Sequence, residues 1–108
     1  MKKLHDDLQD LGRFSEPALL ILISLAEGPK HGYAMTQDIE MVSGQKLGPG
    51  TLYGAITRLE GCGWIEPLPS EDRRRPYRLT GAGQRVLKHR LESLKAVAKV
   101  GAQRLADA

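Results

Sequence analysis

Gly50-Thr51-Leu52-Tyr53-Gly54-Ala55-Ile56-Thr57-Arg58-Leu59-Glu60-Gly61 is the stretch whose reading decides the fold. Leu52, Ala55, Ile56 and Leu59 stand at i, i+3, i+4 and i+7, the spacing of a helix with one face turned to a core. A turn of about 100° per residue then places Gly50, Gly54, Thr57, Arg58 and Gly61 on the opposite side. Thr51 and Tyr53 fall on its two flanks. Pro49 suits a first-turn position, where its missing N–H would be unpaired in any case. Gly61-Cys62-Gly63 suits the helix end. The outward face is small for a solvated helix, and each interior glycine costs about 1 kcal/mol relative to alanine. A helix that lies in a major groove, with its backbone near the DNA, has a use for small residues. Thr51, Tyr53 and Thr57 offer hydroxyls to phosphates or base edges, and Arg58 can reach either. A solvated helix with incidental glycines is the plainer alternative, which this stretch alone does not exclude.

Downstream, two short strands are expected at Trp64–Leu68 and Pro76–Thr80, joined by a loop over Pro69–Arg75 that carries Arg73, Arg74 and Arg75. Runs of arginine are usually just solvated. Here the run tips a hairpin directly after a groove-sized helix, placed to reach a phosphate backbone or a minor groove. Charge is uneven in the same region. Residues 71–90 hold seven Arg or Lys against two acids, a balance of +5, while the whole chain carries +3, leaving −2 elsewhere. A basic half on a nearly neutral body fits phosphate-backbone binding.

Upstream, Ala18–Ile23 is apolar almost all round and reads as a central core helix, stopped at Glu27-Gly28-Pro29. A second helix is expected from about His31-Gly32-Tyr33 to Ser43-Gly44, with Met35, Ile39 and Val42 on one face. Tyr33 is expected to give structural support where that helix meets the reading helix, with a phosphate contact as the alternative, and Tyr53 to touch phosphate or base rather than join the core. Trp64 is expected in the base of the wing. Leu4, Leu8 and Leu11 mark a short amphipathic helix over residues 3–12. Thr80 can cap a long final helix reaching about Leu105. Along it, Leu87, Leu91, Leu94, Ala98, Gly101 and Leu105 alternate spacings of four and three, the seam of a helix that packs lengthwise on another.

The fold expected is mainly α with a small β-hairpin: a winged helix-turn-helix over 15–80, an N-terminal helix in 1–14 and a C-terminal dimerisation helix in 81–108. The seam has no intrachain partner of matching length. A homodimer is therefore expected to pair Leu87, Leu91, Leu94, Ala98 and Leu105 with a two-fold mate and with Leu4, Leu8 and Leu11 of the other subunit. A coiled hairpin of the two terminal helices within one chain is the alternative. The dimer would set two reading helices about 34 Å apart, facing a pseudo-palindromic duplex.

Other functions find little support. Cys62 is the only cysteine, so no intrachain disulfide forms and nothing implies secretion; at a helix stop it reads as a small residue before a redox sensor. His5, His31 and His89 lack ligand-spaced neighbours, so no metal is expected. Three GxG starts, at Gly48, Gly61 and Gly81, continue neither as GxGxxG nor as a Walker loop. No nucleophile triad or carboxylate pair is in place, and neither enzyme activity nor a cofactor is expected. No apolar run approaches the roughly 18 residues of a membrane span, and Asp6, Asp7 and Asp10 do not suit a signal peptide; a cytoplasmic protein is expected. A winged-helix module that contacts protein is the rival function, against which the wing arginines argue, since protein interfaces are depleted in charge at their centres.

Gly28-Pro29-Lys30-His31-Gly32-Tyr33, the run from Gly50 to Glu60, Gly63-Trp64-Ile65, Tyr77-Arg78-Leu79-Thr80 and Gly83 together resemble the PadR-like transcriptional regulators, over about residues 16–108. The single terminal helix resembles the short subfamily. The resemblance implies a dimeric winged-helix repressor that binds double-stranded DNA and is often released by a small-molecule effector, with its recognition helix at Pro49–Gly61 and its wing at Pro69–Arg75. The family often has proline where this chain has Gly54. Pro76, directly before Tyr77, is a second departure, tolerable at the first residue of a strand.

Overall fold

The computed structural model describes residues 17–70 and 73–108, so the reading of residues 3–12 lies outside the described residues, as do two residues of the wing loop. The elements run α1 (Pro17–Ala26), α2 (Gly32–Ser43), α3 (Pro49–Gly61), β1 (Ile65–Pro67), β2 (Tyr77–Leu79) and α4 (Gly81–Asp107). α1 is apolar on nearly every side because it is the central element, touching α2, α3, α4 and β2. Ile21, Leu22 and Leu25 of α1 meet Met35 and Ile39 of α2 and the stripe Leu52, Ala55, Ile56 and Leu59 of α3. Ile65 of β1 and Leu87 of α4 close the core. Burying a side chain of this size contributes about 1.5–3 kcal/mol. The inner face inferred for α3 is therefore the buried one.

Local chemistry sets the helix boundaries. The His31 side chain caps α2, its Nδ1 accepting from Ala34 N–H at 3.3 Å. Gly44, with φ 74°, ends α2 and donates to Glu40 O at 2.8 Å. α3 has no side-chain cap and starts on Pro49 in the first turn. After α3, Gly63 turns the chain at φ 76° and leads into β1.

The hairpin is antiparallel, with Ile65 opposite Leu79, Glu66 opposite Arg78 and Pro67 opposite Tyr77. Its strands are shorter than the sequence suggests, yet Leu68 N–H donates to Pro76 O at 2.8 Å and Thr80 N–H to Trp64 O at 3.0 Å. The pairing thus reaches the expected limits without full strand geometry at the ends. Arg78 and Glu66 form an ion pair across the two strands.

Lys30 ties the hairpin to the body. Its N–H donates to Tyr77 O at 3.1 Å and its carbonyl accepts from Tyr77 N–H at 3.0 Å. Its ammonium donates to Ser24 O at the end of α1, where helix carbonyls favour a cation. The same group pairs with Glu27 at 3.3 Å and, half-buried, with Asp38 of α2 at 3.9 Å.

Two expectations are corrected. Val42 is exposed, because α2 outruns the core at its C-terminal end. Leu87 is buried in its own chain's core and does not belong to a free seam. α4 leaves the body just beyond it, and residues 88–108 are all exposed, including Leu91, Leu94, Ala98, Gly101 and Leu105. Val97 and Val100 are exposed as well.

The junction of hairpin and α4 is crowded. Thr80 caps α4 by accepting from Gly83 N–H at 3.0 Å and donates its own hydroxyl to Gly63 O at 2.7 Å. A Cβ on Gly83 would lie 2.0 Å from Trp64 O and 2.9 Å from Trp64 C, a backbone that cannot yield like a side-chain tip. Gly83→Ala is therefore expected to destabilise the fold by about 1–3 kcal/mol despite the better helix propensity of alanine. Urea unfolding checks this, and an unchanged midpoint would show that the junction relaxes freely.

Candidate nucleic-acid interface

The buried stripe of α3 determines what the helix offers outward. Gly50, Thr51, Tyr53, Thr57, Arg58 and Gly61 are exposed and Gly54 is half-buried. Among the described residues, no side chain crowds the glycines of this face: a Cβ would meet nothing within 4 Å at Gly50 or Gly61, and at Gly54 only Arg58 Nη1 at 3.7 Å. None of the three has a positive φ. The Arg58 guanidinium thus lies beside the bare backbone of Gly54. Thr57 differs from expectation in one respect. Its hydroxyl donates to Tyr53 O at 2.9 Å, so it presents a methyl group and acceptor lone pairs outward while its hydrogen is engaged.

The hairpin brings Arg73, Arg74 and Arg75, all exposed, to the same side as the start of α2 and the flank of α3. Between them is a cleft of about 510 Å³. His31, Gly32 and Tyr33 form one wall, Tyr53 a second, and the three arginines with Tyr77 the third. Among the described residues, no acidic side chain lines it. The partial positive charge of a helix N-terminus adds to that of the guanidiniums, a combination that suits anions.

The structure therefore unites Tyr53 with Arg73, Arg74 and Arg75 around the cleft, whereas Thr51, Thr57 and Arg58 belong to the open face of α3. Tyr33 departs from the expected supporting role: it is 63% exposed and lies in the cleft wall, its Oη accepting from Gln37 Nε2 at 3.1 Å. His31, Gly32 and Tyr77 were not foreseen as part of this surface. The bridge between Lys30 and Tyr77 brings them there, and a two-residue backbone pairing has no periodic signature. Trp64 packs against the core, as expected for the wing base. With Ala18, Leu19, Leu22, Val86 and Arg90 it borders a smaller apolar recess of about 190 Å³. No group of three or more His, Cys, Asp or Glu that could hold a metal ion occurs among the described residues. Nor is any helix among them long and apolar enough to cross a membrane.

Three helices packed on one core, with an antiparallel hairpin following the third, define a winged helix-turn-helix. The model of the transcriptional regulator PadR-like family matches residues 21–89, well over half of the sequence. The chain belongs to that family, whose members are transcriptional regulators and not enzymes. It is similar to an uncharacterized 37.1 kDa protein in transposon TN4556 of Streptomyces fradiae, 46% identical over 82 residues. That match covers 76% of this chain and only 24% of the relative's length. Similarity to the transcriptional regulator Rv3488 of Mycobacterium tuberculosis is 37% over 87 residues, covering 75% of this chain and 78% of that one. Among solved structures, a PadR family transcription regulator from Clostridium difficile R20291 superimposes with a TM-score of 0.76 at 26% identity, covering 84% and 99% of the two chains.

Proposed function

We propose that this transcriptional regulator binds double-stranded DNA sequence-specifically as a homodimer, with α3 in the major groove and the basic hairpin on the flanking backbone. The observation that carries the reading is the outward face of α3, small and unpacked by any of the described residues at its glycines, beside three exposed arginines. Gly50, Gly54 and Gly61 allow close approach of the helix backbone to base edges, and Thr51, Thr57 and Arg58 are the groups that read them. The Thr57 methyl suits a thymine methyl, and Arg58 suits the paired acceptors of guanine. Tyr53, Arg73, Arg74 and Arg75 hold the phosphate backbone. The charge of this face weighs against a protein-binding role.

In this reading residues 15–80 form the DNA-binding unit and 81–108 the dimerisation helix, with 1–14 as a further dimer contact through Leu4, Leu8 and Leu11. Leu91, Leu94, Ala98 and Leu105 are the seam. Its support is a helix whose last 21 residues, 88–108, are exposed in the single chain; an apolar stripe on a helix this far from a core calls for a partner. Repression, and release from a pseudo-palindromic operator by a small-molecule effector, are supported by the family resemblance.

Binding to duplex DNA is expected to weaken linearly with log[salt], with a slope near −0.9 per phosphate neutralised. Replacing Arg73, Arg74 and Arg75 by alanine should flatten that slope and weaken all sequences alike, whereas changes at Arg58 should cost about 1–3 kcal/mol at one base pair. Titrations on duplexes selected from a random pool measure both, and no detectable duplex binding at low salt would defeat the proposal.

Gly54→Ala separates folding from function. A Cβ there is sterically acceptable among the described residues, so the helix should gain up to about 1 kcal/mol in thermal unfolding. DNA affinity should fall, because the added methyl stands between helix and groove. A variant that gained stability and bound DNA as tightly as the parent would show that the small face has no role.

Deleting residues 91–108 should yield a monomer by light scattering, with the fold retained because Leu87 and the core remain. A truncated chain that stayed a dimer would place the interface elsewhere.

A further inference from the structure

Gly32 opens α2, is buried, and has no positive φ that would call for glycine. Helix propensity would favour alanine there by about 1 kcal/mol. The neighbouring reading helix explains the choice. A Cβ on Gly32 would lie 2.6 Å from Tyr53 Oη and 3.0 Å from Tyr53 Cζ. The tyrosine ring of α3 therefore rests on the bare backbone at the start of α2. It is half-exposed there, at the wall of the basic cleft.

We infer that Gly32 is a positioning residue: its missing side chain seats the Tyr53 hydroxyl at the start of α2, so that Tyr53, Tyr33 and the wing arginines converge on one backbone phosphate of DNA. This rests on the DNA-binding reading and extends it to how α3 is registered along the duplex. Tyr33 Oη accepts from Gln37, which leaves its own hydrogen to donate toward the cleft. Tyr53 brings a second hydroxyl from a different helix. The arginines bring charge from a third element, and the cleft, at about 510 Å³, has room for a phosphate with its flanking sugars. A phosphate held jointly by α2, α3 and the wing fixes the depth and rotation of α3 in the groove. Phosphate contacts of this kind position a protein without reading sequence.

The Tyr53 side chain can swing outward, so Gly32→Ala should leave the unfolding temperature nearly unchanged while displacing the hydroxyl. The probe is a duplex that the wild-type protein selects from a random-sequence pool, together with copies in which each phosphate in turn is an uncharged methylphosphonate. Gly32→Ala is expected to weaken binding about tenfold, the loss of a hydrogen bond to a charged group. In a Tyr53→Ala background it should cost nothing further. One methylphosphonate position in each half-site should weaken the wild-type complex and add little to the loss in Tyr53→Ala or Gly32→Ala.

Additive losses in the double variant, or no phosphate whose replacement is non-additive with Tyr53→Ala, would overturn the inference while leaving DNA binding intact. Wild-type protein that selects no duplex at all would remove the functional reading itself, and the inference with it. Should Gly32→Ala lower stability, the comparison of Tyr53→Ala with the double variant still decides, because the clash is absent from both.

Discussion

Leu52, Ala55, Ile56 and Leu59 pack into a core built around Ile21, Leu22 and Leu25, and this contact sets the rotation of α3 about its own axis. Because side chains recur every 3.6 residues, burying that stripe leaves no choice about which residues face away. A slip of one residue would carry Arg58 toward the core and Ile56 toward solvent, at the cost of burying a guanidinium without a partner. The helix that presents Thr51, Thr57 and Arg58 is thus oriented by apolar contacts that none of those three residues makes. Function on the outer face depends on packing on the inner one.

The wing is oriented by hydrogen bonds, since its short strands bury little. Only Ile65 of its six strand residues lies in the buried core. Two anchors compensate. At one edge Lys30 pairs with Tyr77 through both backbone groups, while its ammonium holds the end of α1 and the side of α2. At the other, Thr80 holds Gly63 and the first turn of α4. These anchors lie next to the residues they serve: His31 follows Lys30 and opens the cleft, and Arg75 is two residues before Tyr77.

Periodicity made the helices legible, because a stripe such as 52, 55, 56 and 59 falls on one side of a helix and on both sides of a strand. The hairpin was legible from its punctuation, and the outer face of α3 followed by geometry from its inner one. What escaped was set by contacts between distant residues. Val42 shares a face with the buried Met35 and Ile39 yet is exposed, and a helical pattern does not say how far along a helix its neighbours reach. Leu87 fits the heptad seam as well as Leu91 does, yet the body of the fold ends between them. The cleft was only half visible for the same reason: Tyr53 and the arginines carry obvious chemistry, whereas Tyr33, Gly32 and Tyr77 join them through one backbone bridge.

The glycines show how structure separates two causes that composition cannot. Gly83 and Gly32 are both explained from within: a Cβ on Gly83 would lie 2.0 Å from the rigid Trp64 carbonyl, and one on Gly32 would lie 2.6 Å from the Tyr53 hydroxyl, a side-chain tip that escapes only by leaving its seat. Gly50 and Gly54 have no such neighbour among the described residues and no unusual backbone, although they weaken a helix on which the fold relies. Nothing among those residues accounts for that cost. A surface that comes against the helix from outside, close to its backbone, would account for it. Of the partners that a helix bearing Thr51, Thr57 and Arg58 can meet, the floor of a DNA major groove, as proposed above, fits this requirement, with base edges accessible to a slim helix and phosphates within reach of the wing arginines.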